Sequence, residues 1–311
     1  MSCVPVAEVP AVRLDNLTKV FGAARGISNV TLEVTAAQVF GFLGPNGAGK
    51  STTIRLMMGL YLPTAGRAEL FGLDARRDGP RARRRVGYLP GELALYGRLT
   101  GRETLNRIAR MRGDRDRSLR AHLEHRFGAE LDRPVHTLSK GNRQKIWLVQ
   151  AFMHDPELLV LDEPTSGLDP LLQKEFADLL EESVGRGRTV FLSSHDLDEV
   201  QRLAHQVAII RGGQLVANDS VEALRGRAPR TVEITFRLPV DPTAFATVPG
   251  VEVTSSDTRR VGFRVVGDMG ALFERAVGFG IIDVTAQSAN LDELFLSYYA
   301  STSGEMPADV R

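Results

Sequence analysis

Gly44-Pro45-Asn46-Gly47-Ala48-Gly49-Lys50-Ser51-Thr52 is the stretch that decides how this chain folds. It fits G-x-x-x-x-G-K-[ST], a loop that wraps a phosphate chain with inward-pointing backbone N–H groups. Gly44, Gly47 and Gly49 have no Cβ, so the backbone can take up dihedrals that other residues resist and come close to the phosphates. Lys50 places positive charge on the β- and γ-phosphates, and the Ser51 hydroxyl is a hard oxygen ligand for Mg2+. Such a loop follows a strand and opens a helix, whose N-terminal dipole favours an anion. Val39-Phe40-Gly41-Phe42-Leu43 reads as the buried strand, and Thr52 to Leu60 as the helix.

Downstream of the loop, Leu158-Leu159-Val160-Leu161 is a continuous apolar run, the pattern of a strand buried on both faces. Asp162 and Glu163 stand at its carboxyl end, where open α/β sheets bind ligands. One carboxylate there can hold Mg2+, and its neighbour can position an attacking water and accept its proton. Ser166-Gly167-Leu168-Asp169-Pro170 is a turn into a helix that runs to Val184. Thr189-Val190-Phe191-Leu192-Ser193 is a second buried strand, and His195 lies just beyond its end, where an imidazole can bond the γ-phosphate. Strands alternating with helices predict an α/β domain with a largely parallel sheet.

The remaining segments fit around that frame. Ala11 to Val20 and Val30 to Val34 alternate apolar and polar residues as strands do, with Phe21 to Asn29 as the connection. Phe21 either stacks on an adenine ring or closes the core at a strand end. Arg67 to Gly72 and Val86 to Leu89 read as strands. Between them Arg76, Arg77, Arg81, Arg83, Arg84 and Arg85 form a basic cluster broken by Pro80, either a solvated face or a contact for a partner. Thr100 with Glu103 makes a capping-box pattern, and Leu105, Ile108 and Met111 follow at helical spacing. A second helix carries Leu119, Leu123 and Phe127 and stops at Gly128. Ser139 caps a third, from Lys140 to Met153. His136 is a loop histidine with no assigned role. Gly212-Gly213 joins two strands as a hairpin turn. Beyond Ala228-Pro229 the pattern changes: alternation at Val232, Ile234, Phe236 and Leu238, further strands near 251–253, 261–265 and 281–284, a helical face from Met269 to Val277, and a last helix from Asn290 carrying Leu291, Leu294, Phe295 and Tyr298.

Composition excludes several classes. Among 311 residues, 43% are hydrophobic and 25% charged, as in ordinary globular proteins. The single cysteine, Cys3, cannot build a disulfide framework. No apolar run approaches the about 18 residues of a spanning helix, and Met1 to Pro10 does not read as a signal peptide. Net charge is +1, with 7 basic and 11 acidic residues from Arg230 onward. That mild asymmetry gives no reason to expect nucleic acid as a partner.

These motifs, in this order, resemble the ATP-binding subunit of an ATP-binding cassette (ABC) transporter over roughly Val12 to Arg227. Gly44–Thr52 is similar to the family's Walker A, residues 158–164 to Walker B with its glutamate, Ser166 to Asp169 to the D-loop, His195 to the switch histidine, and Phe21 to the adenine-stacking aromatic. Leu138-Ser139-Lys140-Gly141-Asn142 stands where the family has its LSGGQ signature. The C-terminal part, ending in Leu291 to Leu296, is similar to the extension of exporter-type subunits whose permease is a separate polypeptide.

The resemblance implies a phosphate-loop NTPase core of ABC type at residues 11–228, with an antiparallel β subdomain and a helical subdomain near 92–155. It also implies a small α+β domain at 229–300 and tails at 1–10 and 301–311. ATP and Mg2+ are the implied cofactors, and the chain energises a permease that exports a drug, lipid or other small molecule. Catalysis would rest on Glu163, His195 and Lys50, and the metal on Ser51 and Asp162. The nucleotide would be held by Phe21, residues 44–52 and Asp169, with Ser139, Gly141 and Asn142 covering ATP held by a second subunit, as a homodimer. The expected location is cytoplasmic, peripheral on the inner face of the membrane. Two other readings remain: a soluble ABC ATPase of translation or DNA repair, against which stand the single Walker A and the lack of an inserted coiled coil, and a weakly hydrolysing nucleotide-binding regulator. Gly91, at the position of the family's Q-loop glutamine, keeps the last one open. Lys140 and Asn142 depart from the signature's usual Gly and Gln, with Lys140 adding a charge suited to a γ-phosphate.

Overall fold

The structure, a computed structural model, describes residues 9–22, 24–91, 98–113 and 117–287. The expected last helix from Asn290, both tails except Val9 and Pro10, and Glu92 beside Gly91 lie outside the described residues. The chain divides into two compact units, Met1–Asn218 and Asp219–Arg311.

In the first unit an antiparallel sheet is formed by β1 (Val12–Phe21), β2 (Ala24–Val34), β4 (Ala65–Leu70) and β5 (Leu73–Asp74), in the order β2-β1-β4-β5. The connection expected over residues 21–29 is therefore mostly strand. Lys19, Val20 and Phe21 pair with Ile27, Arg25 and Ala24 across shifted registers. Cross-strand pairing overrides the small-residue composition that pointed to a loop.

The second sheet holds the site. It consists of β3 (Val39–Leu43), β6 (Val86–Leu89), β7 (Leu158–Asp162), β8 (Thr189–Ser194), β9 (Gln206–Arg211) and β10 (Gln214–Ser220), in the order β10-β9-β3-β8-β7-β6. From β9 to β6 the pairing is parallel. Every residue of β3, β7 and β8 is buried, which explains the continuous apolar runs. Phe40, Phe42 and Phe191 pack together across the sheet with ring centroids 5.4–5.6 Å apart. Because β3, β8, β7 and β6 are neighbours and point the same way, Gly44, His195, Glu163 and Gly91 all leave the sheet on one side.

The helices are α1 (Lys50–Met57), α2 (Gly79–Arg84), α3 (Gly101–Arg112), α4 (Ser118–Phe127), α5 (Lys140–Phe152), α6 (Pro170–Gly185) and α7 (Leu197–Leu203). α1 starts two residues before the expected Thr52, so Lys50 and Ser51 belong to its first turn. Pro80 opens α2 rather than breaking the segment, because its missing N–H falls where a helix needs none. The capping box of Thr100 and Glu103 is formed in full. Met111, expected on the apolar face of α3, is 69% exposed, whereas Leu105 is fully buried. The arginine cluster is divided. Arg83 donates to Met58 O at 3.0 Å. Arg85 pairs with both oxygens of Glu157 at 2.7 and 2.6 Å and stacks 3.8 Å over the Phe71 ring. Arg76, Arg77, Arg81 and Arg84 are exposed.

In the second unit α8 (Val221–Arg227) precedes β11 (Arg230–Phe236), β12 (Val251–Asp257), β13 (Arg260–Val265), α9 (Gly270–Val277) and β14 (Ile281–Ala286). The strands form an antiparallel sheet in the order β12-β13-β11-β14. Val232, Ile234 and Phe236 face a core with Phe245, Phe263, Leu272 and Ala276. Leu238 falls beyond the end of β11 and is 62% exposed, so the alternation that seemed to include it ends at Phe236.

Candidate active site

The loop from Gly44 is pinned at both ends. Gly44 N donates to Ser194 O at 3.2 Å, and Gly213 N donates to Ala48 O at 2.9 Å. Gly44 is not a residue of unusual dihedral: a Cβ there would meet Ile210 O at 2.4 Å, so its small size serves packing against β9. Gly49 is the opposite case. Its φ is 111° and it forms the N-cap of α1, a geometry reserved for glycine. Ala48 is buried, and α1 aims its free N–H groups at the turn in front of it.

A cleft of about 410 Å3 opens over this helix start. Its walls include Phe21, Pro45, Asn46, Gly47, Gly49, Lys50, Ser51, Thr52 and Glu163, all expected from sequence, together with Gly26, Arg55 and Gly91. Phe21 is 42% exposed and packs edge-on against Tyr61, with ring centroids 5.6 Å apart. Gly26 is required beside it, since a Cβ would lie 2.8 Å from Phe21 Cε2. The hairpin register carries that signal, and composition does not.

Lys50 is nearly buried. Its Nζ donates to Gly44 O at 2.6 Å and lies 3.2 Å from Glu163 Oε1. The ion pair lacks hydrogen-bond alignment, leaving Oε1 a buried acceptor. The other oxygen, Oε2, is 2.6 Å from His195 Nδ1. Glu163 has φ = 52°, a left-handed conformation that costs an L residue about 1–3 kcal/mol and is held here by its surroundings. Ser193 supplies much of that hold. Its Oγ donates to Asp162 Oδ1 at 2.5 Å and accepts from Glu163 N at 3.3 Å, while its carbonyl accepts from the same N–H at 3.2 Å. Sequence reading passed over Ser193 as an ordinary strand residue.

Asp162 is buried. Its Oδ2 faces Gly91, where a Cβ would come within 3.0 Å. Among the described residues no group of three or more His, Cys, Asp or Glu side chains gathers round one point. A cation here would draw on the Asp162 carboxylate, the Ser51 hydroxyl and phosphate oxygens, a hard-oxygen set that fits Mg2+. Behind the site, burial and the Asp162 charge push the Tyr88 phenol up to about 12. Beside His195, Ser194 Oγ donates to Glu199 Oε2 and accepts from Asp196 N at 3.0 Å, which fixes the backbone on both sides of the histidine. Burial raises the Glu199 pKa.

The signature residues lie outside the cleft's lining. Ser139 Oγ caps α5, accepting from Asn142 N at 3.2 Å. The Asn142 amide is occupied within its own chain: Oδ1 accepts from Glu130 N and Nδ2 donates to Glu130 O, both at 2.9 Å. Asp169 caps α6 through Leu172 N at 3.0 Å.

Residues 27–166 match the family model for ABC transporters. Over 225 residues the chain is 35% identical to the bacitracin transport ATP-binding protein BcrA of Bacillus licheniformis, covering 71% of this chain and 74% of that one. The chain belongs to the ABC transporter ATP-binding proteins. It is also 35% identical over 217 residues to the probable multidrug ABC transporter ATP-binding protein YbhF of Escherichia coli (strain K12), spanning 68% of this chain but only 37% of that relative's length. A solved ATP-binding subunit of an ABC transporter superposes with a TM-score of 0.64 at 30% identity, covering 69% of this chain and 92% of the other. The ABC fold expected from the motif order is thus the fold present, with residues 44–52, Asp162, Glu163 and His195 converging from neighbouring strands. Among the described residues no helix is long and apolar enough to cross a membrane.

Proposed function

We propose that this chain binds and hydrolyses ATP with Mg2+ to energise a separate integral-membrane permease for export of a drug, lipid or other small molecule. In this reading it sits at the cytoplasmic face of the membrane. The observation that carries it is the Lys50–Glu163–His195 array at the mouth of the phosphate loop, with Lys50 Nζ 3.2 Å from Glu163 Oε1 and His195 Nδ1 2.6 Å from Oε2. The names of relatives such as the bacitracin and multidrug ATP-binding proteins support the export role.

In this reading the N–H groups at the start of α1 and the Lys50 ammonium hold the β- and γ-phosphates. Phe21 stacks on the base. Glu163 orients the attacking water and takes its proton, and His195 steadies Glu163 and meets the γ-phosphate. Ser51 and Asp162 would hold Mg2+, which supplies charge neutralisation on the phosphate oxygens when bound. The signature residues lie outside the lining of their own cleft, so we propose a head-to-tail pair of copies in which Ser139, Gly141 and the N-terminus of α5 cover ATP held by the partner. Asn142 would reach a nucleotide only by releasing Glu130. The Asp169 side chain caps α6, so its part is to shape the turn.

The test compares the full chain with Glu163→Gln and Lys50→Ala. The expected result is ATP hydrolysis by the wild type, and ATP binding with stable dimerisation but little hydrolysis by Glu163→Gln. Lys50→Ala should lose nucleotide affinity. Wild-type turnover in Glu163→Gln would remove Glu163 from its role. Gly91 favours a second reading, a weakly hydrolysing regulator, because no side chain there reaches the water or the metal. An ATPase rate that stays near background with the permease present would select it.

A further inference from the structure

Lys140, one of the two residues that depart from the family's signature, is exposed but turns back onto its own chain. Its Nζ donates to Ser166 Oγ at 2.9 Å. Its stem lies on Gly167, where a Cβ would come within 3.3–3.5 Å of Lys140 Cδ, Cγ and Cε. The next residue, Gly141, leaves no room either, since a Cβ there would stand 2.9 Å from Gly167 O. One turn on, the buried Gln144 donates Nε2 to Pro164 O at 2.7 Å. One side of the start of α5 is thus fastened at Lys140, Gly141 and Gln144 to residues 164–167. That segment begins directly after Glu163, and Ser166 N closes it by donating to Glu163 O at 3.3 Å. On another side, Asn142 clamps the backbone of Glu130. The start of α5 and the turn after Glu163 therefore have little freedom to move separately.

We propose that Lys140 is a positioning residue that couples the paired ATP sites. The inference rests on the head-to-tail pairing proposed above. In that pair the start of α5 faces the partner's nucleotide, while the turn fastened to it carries the Glu163 that works on the chain's own nucleotide. Closing α5 onto one ATP pulls, through Lys140 and Ser166, on the carboxylate serving the other. A glycine at 140 has no such reach. The charged donor gives the link more strength than a neutral one would. The Nζ–Ser166 bond also directs the ammonium to its own chain's turn, which sets this role apart from a direct phosphate contact.

The experiment uses the full chain as wild type, Lys140→Met, Ser166→Ala, the double variant and Lys140→Arg. ATPase rate is measured against ATP concentration, and ATP-driven dimerisation is measured for each in a Glu163→Gln background. Lys140→Met should lower kcat about three- to tenfold, the loss of one charge-assisted bond at a partly exposed position. It should also lower the Hill coefficient toward one and leave the ATP concentration for half-dimerisation within about twofold, because no bond to the nucleotide is removed. The double variant should be no worse than either single one, and Lys140→Arg should restore most of the rate and cooperativity. Additive losses in the double variant, an unchanged Hill coefficient in Lys140→Met, or a non-cooperative wild type would overturn the proposal. So would weakened dimerisation in Lys140→Met, which would instead place the ammonium on the partner's phosphates. A wild type with no ATPase, or a Glu163→Gln chain that does not dimerise with ATP, would sink the proposed function and this inference with it. Those two controls separate the two failures.

Discussion

His195 Nδ1 lies 2.6 Å from Glu163 Oε2, so the imidazole after β8 and the carboxylate after β7 act as one unit. Glu163 also faces Lys50 through its other oxygen. Removing the imidazole leaves the carboxylate free to turn toward Lys50 alone. We expect His195→Ala to lower kcat by about 10- to 100-fold, at or below the usual range for losing an acid–base partner, with little change in the ATP concentration at half-maximal rate. Steady-state ATPase assays decide this; a raised KM with unchanged kcat would move His195 from chemistry to binding.

Ser193 is fully buried and touches both Walker B residues. Ser193→Ala strips a donor from Asp162 and an acceptor from Glu163 N. The expected cost is about 1–3 kcal/mol, for leaving the buried Asp162 Oδ1 without its donor, since Glu163 N keeps the Ser193 carbonyl. It should appear as a lower Tm and as a higher Mg2+ concentration for half-maximal ATPase. A variant with wild-type Mg2+ dependence would show that Ser193 does not orient Asp162.

Gly91 invites a repair that should fail. Placing the family's glutamine there puts a Cβ 3.0 Å from Asp162 Oδ2. The carboxylate belongs to a fully buried strand and is fixed by Ser193, so it has little room to give. Gly91→Gln is therefore expected to reduce ATPase activity and lower Tm. A rate above wild type would show that this chain lost its glutamine without adjusting around the gap.

His154 makes stability depend on pH. Burial, and then the charge of Arg112, push its pKa down from 6.5 to about 4. Arg112 Nη1 sits 2.8 Å from His154 Nε2. The unfolded chain therefore binds the proton more readily than the folded one. Stability from this residue is complete above about pH 6.5 and drains away as pH falls toward 4. Between pH 7 and 5 the loss should be about 2 kcal/mol. His154→Gln has no titrating ring, so its urea midpoint should fall less over that interval than the wild type's. Parallel curves would refute the assignment.

Much of this was legible in the sequence because local rules carried it. The phosphate loop, the buried runs of β3, β7 and β8, and the caps at Thr100 and Ser139 all depend on residues close together in the chain. The misreadings share a different cause. Phe21 to Asn29 looked like a loop because its strand character comes from pairing across a hairpin. Met111 fits the helical spacing, yet it is left largely exposed. Pro80 is a breaker inside a helix and a starter at its first turn. Ser193, Gly26 and the Asn142–Glu130 clamp take their meaning from partners that spacing does not reveal.

The order β3-β8-β7-β6 has a consequence for which changes the chain can absorb. The phosphate loop, His195, Glu163 and Gly91 each follow a different strand of one parallel ladder. Deleting one residue inside any of those strands would turn the side chains beyond it to the opposite face and displace the residue it delivers. Gly91, Lys140 and Asn142, the three departures from the family's motifs, all lie off the ladder. A change at those places leaves the strand register intact and acts only through the side chains it touches. A one-residue deletion inside β3, β6, β7 or β8 should accordingly cost the site more than a substitution off the ladder.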